Sequence, residues 1–73
     1  MSERNIIGEN IRYFRKKQNL IQEGLTAKLQ TLGLEIYSSM LTKIELKKRE
    51  SYYFEIDIIS KVLNLKIDDL FQK

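Results

Sequence analysis

The 73-residue chain has no cysteine, histidine, proline or tryptophan, and only three glycines. Without cysteine there is no disulfide framework, and without cysteine or histidine there is no zinc-finger-type site. A Ser-His-Asp or Cys-His catalytic set is excluded, because no imidazole is present to act as base. There is also no glycine-rich phosphate loop and no paired-carboxylate constellation on which to build a catalytic centre. Asp68 and Asp69 are adjacent, but with no third ligand nearby they read as complements to a helix dipole rather than as an acid/base or metal pair. No enzyme activity, cofactor or metal is expected. No apolar run approaches the ~20 residues needed to cross a bilayer. The opening Met-Ser-Glu-Arg-Asn has no apolar signal-peptide core behind it, so a cytoplasmic protein with no membrane partner is expected.

The sequence is 42% hydrophobic and 32% charged, which places the chain among globular domains rather than disordered segments. Its length allows one domain, spanning 1–73, and a chain this short buries only about 60% of its unfolded surface. The core is therefore thin and must stand on apolar packing or on a partner. The formal charge is +3, from 13 basic and 10 acidic residues. A mild excess of this kind points to nucleic acid only where the charges cluster.

Few breaks and many helix formers predict an all-α bundle of five short helices. The first starts near Asn5, a good cap residue, and carries Ile7, Ile11 and Phe14 at helical spacing, with Arg12, Arg15, Lys16 and Lys17 on its polar face. Asn19-Leu20 breaks the pattern. A second helix covers about Gln22 to Leu32, with Leu25, Leu29 and Leu32 as its stripe, and Gly33 stops it. The third begins near Tyr37 or Ser38 and turns Leu41 and Ile44 inward, leaving Ser38, Ser39, Thr42 and Lys43 outward. Leu46 to Ser51 reads as a charged loop. The fourth covers about Tyr53 to Leu63, with Ile56, Ile59 and Leu63 inward and Ile58 and Val62 beside them. A final turn runs from Ile67 to Phe71. No heptad survives beyond two turns, which excludes a coiled coil.

Four stretches, in order, carry a resemblance. Ile-Arg-Tyr-Phe-Arg-Lys (11–16) is similar to the I-R-x-x-R-K that opens the phage-repressor and Cro-like (XRE-type) helix-turn-helix family. Leu-Ile-Gln-Glu-Gly-Leu (20–25) resembles its L-[ST]-Q-E-x-L, and Leu-Thr-Lys-Ile-Glu-Leu-Lys-Lys-Arg (41–49) its I-S-[RK]-I-E-x-G-K-R. The stretch 61–71 resembles the closing A-L-[GN]-V-x-L-D-D-L-[FL]. The resemblance covers about 7–71 and implies a compact lambda-repressor-like bundle with a central helix-turn-helix. Several positions depart from it. Ile21 stands where the family has Ser or Thr, so the second helix lacks a side-chain cap. Thr26 replaces a small Ala at a tightly packed position. The Gly after Glu45 is missing, so a non-glycine residue must make the turn. The chain is also four to five residues longer than usual between Leu25 and Ile36.

The resemblance implies that the third helix, about 38–46, lies in the major groove while its neighbour braces against the backbone. Ser38, Ser39, Thr42 and Lys43 are then the base-contacting candidates, since hydroxyls and ammonium groups can pair with base edges; the plain alternative is a solvated polar face. Gln22 resembles the family's phosphate-contacting glutamine. Lys47, Lys48 and Arg49 belong to the densest positive stretch of the chain and would lie over phosphates, unless they are simply solvated. Arg15 and Glu45 match a partly buried ion pair of structural role. Tyr37, Tyr52, Tyr53 and Phe54 could stack on bases, but as residue types they read first as helix caps and packing.

The function implied is a small transcriptional regulator, a repressor in the manner of phage, plasmid or mobile-element proteins, that binds a double-stranded DNA operator in a sequence-specific way. A homodimer, at least on DNA, is expected, with Leu70 and Phe71 as candidate contacts. The alternative is an antitoxin-like or anti-repressor-like module on the same fold whose partner is a protein, because one scaffold hosts several functions.

Overall fold

The computed structural model describes the backbone of residues 3–72 and the side chains of residues 6–72. Four α-helices follow one another: α1 (Glu3–Lys17), α2 (Gln22–Thr31), α3 (Ser38–Glu45) and α4 (Tyr53–Val62). There is no strand among the described residues. In place of a fifth α-helix the chain closes with a 3-10 turn, Ile67–Phe71. Five residues suit the tighter i→i+3 ladder, which is used in short terminal pieces. Asp69 accepts the backbone N–H of Lys66 at 3.0 Å, so one of the paired aspartates caps this turn. The first helix begins at Glu3, two residues before the expected cap, and Asn5 lies inside it. Ile21 precedes α2 in an extended conformation without a side-chain cap, as its residue type required.

All four α-helices end in the same way. A residue with positive φ follows the last turn: Asn19 (59°), Gly33 (89°), Lys47 (65°) and Asn64 (59°). The next N–H then reaches back to the carbonyl five residues earlier, Leu20 to Arg15 at 3.1 Å, Leu34 to Leu29 at 3.1 Å, Lys48 to Lys43 at 2.8 Å and Leu65 to Ser60 at 2.8 Å. This is the Schellman closure, which satisfies carbonyls that the helix leaves unpaired. Three of the closures use Asn or Gly, which tolerate the left-handed region, followed by a leucine that packs inward. The end of α3 uses Lys47 and Lys48 instead, and both are exposed.

Ile7 and Ile11 of α1, Leu25 and Leu29 of α2, Leu41 and Ile44 of α3, and Ile56, Ile59 and Leu63 of α4 meet in one buried cluster with Leu34, Ile36 and Leu70. α1 packs on the 3-10 turn and on α3, and α2 lies against α3 and α4. The long α2–α3 connection alternates in an extended manner, with Leu34 and Ile36 buried and Glu35 and Tyr37 exposed. Gln30 Nε2 donates to the Ile36 carbonyl at 2.8 Å and ties the connection back to α2. The connection thus adds two core side chains. Leu32, expected in the α2 stripe, is exposed because the helix closes one residue earlier. Gly8 lets α1 approach α3: a Cβ there would overlap the Ile44 carbonyl oxygen. Asn10 Nδ2 donates to the Leu70 carbonyl at 2.8 Å, fastening the closing turn to α1.

Candidate nucleic-acid interface

The polar network behind α3 starts at a buried ion pair. Arg15 Nε meets Glu45 Oε2 at 2.7 Å, and Nη2 meets Oε1 at 3.0 Å. Arg15 Nη1 donates to the Leu20 carbonyl at 2.7 Å, so the guanidinium also clamps the α1–α2 turn. Two parallel charge-assisted bonds in one plane fix angle as well as distance. Here they hold α3 against α1. Gln22 Nε2 donates to Glu45 Oε1 at 3.1 Å, and Thr42 Oγ1 lies 2.7 Å from Gln22 Oε1 and 2.8 Å from the Ser38 carbonyl.

Gln22 is thus a brace between α2 and α3: its amide nitrogen faces Glu45 and its oxygen faces Thr42. Arg49 is engaged in a similar way. Its guanidinium turns inward onto Glu55, with bonds of 3.2 and 3.0 Å, and lies 5.5 Å from the ring centre of Tyr52. Hydrogen bonding to Glu55 raises the Arg49 pKa from its ordinary value, against the opposing cost of burial. Glu55 also accepts the Tyr52 N–H at 2.8 Å, capping α4. Arg49 therefore anchors the start of α4. Lys47 pairs with Glu9 of α1.

Of the candidate base contacts, Ser39 and Lys43 are fully outward, while Ser38 and Thr42 are half-buried. Leu46, just past the end of α3, continues the outward row as an apolar member at 51% exposure. Lys43 and Lys48 carry no ion pair among the described residues. Arg12 and Lys16 lie on the polar face of α1. The structure sets both along a cleft that also receives Gln22, Thr42, Glu45 and Leu46. Their spacing of four was the available signal, since it puts both on one helix face.

The aromatic residues are not packed as expected. Tyr37, Tyr52, Tyr53 and Phe54 are all more than half exposed, and Tyr52 and Phe54 stack in parallel with ring centres 5.8 Å apart. Their positions at helix starts leave the rings outside the core, because the inward face of α4 begins only at Glu55 and Ile56. Leu70 is fully buried and cannot serve as a dimer contact, whereas Phe71 stays partly exposed.

Among the described residues, no helix is long and apolar enough to cross a membrane. Comparison of this chain with protein-family models, with curated proteins and with solved structures finds no match.

Proposed function

We propose that this protein is a sequence-specific double-stranded-DNA-binding regulator, most simply a repressor, that presents α3 to the major groove. The observation that carries the reading is the end of α3. Three helices close on Asn or Gly followed by Leu, but α3 closes on Lys47-Lys48. A lysine in the left-handed region costs about 1–2 kcal/mol, and an exposed lysine replaces the usual inward leucine. Local rules are broken most often where function demands it. Here the breach places cations beside the helix whose outer face carries Ser39, Thr42, Lys43 and Leu46. Arg12 and Lys16 add positive charge along the adjoining cleft. The four stretches similar to phage-repressor and Cro-like proteins support the same reading.

Affinity would come from phosphates and specificity from the α3 face. One module of this size covers about 600–1,000 Å² on DNA, so two copies on half-sites about one helical turn apart are the working form. The test is selection of bound sequences from a random-duplex pool, followed by salt titration and footprinting. If Arg12, Lys16, Lys43 and Lys48 each meet a phosphate, the slope of log K against log salt is about −3 to −4 per protomer. Absence of binding at low salt refutes the reading, and one protomer on an asymmetric site refutes the dimer.

A protein-interaction module is the second reading, and the exposed Tyr52-Tyr53-Phe54 run favours it, since contiguous exposed aromatics often mark partner surfaces. Such a module would show almost no salt-dependent DNA binding.

A further inference from the structure

We infer that Thr42 acts at this interface only as a hydrogen-bond acceptor, and so selects an exocyclic amino group, adenine N6 or cytosine N4, on the base edge it faces. The inference rests on the DNA-binding reading above and deepens it. Its origin is the buried charge two links away. The Glu45 side chain receives the two-pronged Arg15 contact, and a carboxylate only accepts. Gln22 must therefore turn its NH2 group to Glu45 Oε1 at 3.1 Å, which leaves its carbonyl oxygen facing Thr42. The Thr42 hydroxyl then meets two acceptors, Gln22 Oε1 at 2.7 Å and the Ser38 carbonyl at 2.8 Å.

A hydroxyl has one proton. Whichever of these oxygens takes it, the proton is spent inside the protein, and only lone pairs remain for a ligand. A threonine normally serves either kind of base edge. This one is polarised by its surroundings, and it lines the cleft with Arg12 and Lys16, so it stays within reach of a bound duplex. Guanine O6 and thymine O4 are acceptors and would face the lone pairs unfavourably.

The test uses the full chain and the duplex recovered by selection from a random pool. One operator position should call for adenine or cytosine on a given strand, and this preference should vanish in Thr42→Val while surviving in Thr42→Ser. Replacing adenine there by purine, which lacks the amino group, should weaken wild-type binding roughly three- to tenfold. The same replacement should leave Thr42→Val binding unchanged. The purine measurement on wild-type protein stands even if Thr42→Val folds poorly. A Thr42-dependent preference for guanine or thymine overturns the polarity and leaves the DNA-binding reading intact, as does a Thr42→Val variant that selects the same sequence with the same affinity. Wild-type protein that binds duplexes without sequence preference, or not at all, overturns the sequence-specific reading and this inference with it.

Discussion

Arg15 and Glu45 lie thirty positions apart in the chain and meet in a two-pronged ion pair, with only 8% and 2% of their side chains exposed. Breaking a buried pair by removing one partner costs about 3–5 kcal/mol, because the remaining charge is stranded. A domain of this length has a total stability of only about 4–11 kcal/mol at 0.05–0.15 kcal/mol per residue. Glu45→Ala should therefore remove a large share of it, whereas the exposed Glu35→Ala should stay within about ±0.5 kcal/mol. Equal urea midpoints for the two variants would show that the pair contributes nothing beyond a surface contact.

Glycine-to-alanine changes should act with opposite signs at two helical positions. At Gly24 an added Cβ meets only the Ile21 and Leu20 side chains at 3.7 Å, an ordinary contact. Gly24→Ala should stabilise by about 0.5–1 kcal/mol through helix propensity. At Gly8 the added atom runs into the Ile44 backbone, which cannot move without parting α1 from α3. Gly8→Ala should destabilise by about 1–3 kcal/mol despite the better helix former. Thermal melts that rank the two variants in the other order would contradict the close α1–α3 crossing.

Restoring the common helix ending at α3 should separate stability from function. Lys47→Gly relieves the left-handed lysine but adds freedom to the unfolded chain and loses an exposed ion pair worth about 0–1 kcal/mol. Combined with Lys48→Leu, which supplies the missing inward leucine, the net gain should be about 0.5–1 kcal/mol. The same double variant should bind DNA more weakly at every salt concentration. A variant that is both more stable and equally tight on DNA would remove the functional reason for the two lysines.

The basic side chains should sort into two groups. Arg12→Ala and Lys48→Ala should each flatten the salt dependence by about one unit and weaken operator and random duplex alike, with little change in folding. Arg49→Ala should mainly destabilise the start of α4, since it strands the buried Glu55 carboxylate. If Arg49→Ala instead keeps wild-type stability and loses a unit of salt slope, its inward placement is not the working one.

Ser51 tests the hydrogen-bond accounting. Its hydroxyl is buried without a partner between α3 and α4. Removing an unsatisfied polar group relieves its desolvation cost, so Ser51→Ala should be neutral or up to about 1 kcal/mol more stable. A loss above 1 kcal/mol in urea unfolding would mean that the hydroxyl does have a partner.

The sequence by itself determined what depends on neighbours a few residues apart. Helical spacing marked the inward rows of α1, α3 and α4, and Gly33, at positive φ, marked the end of α2. These are local choices of backbone region and helix face, and residue type largely decides them. The tertiary structure decided which charges are free. Gln22, Lys47 and Arg49 read alike as outward polar groups, yet Glu45, Glu9 and Glu55 engage them, leaving Arg12, Lys16, Lys43 and Lys48 without an ion pair among the described residues. No periodicity carries that information, because long flexible side chains reach several positions and settle on whichever opposite charge packing brings within a few ångströms. The surroundings of Thr42 belong to the same class, since the Gln22 oxygen that its hydroxyl meets is placed there only once α2 and α3 have packed.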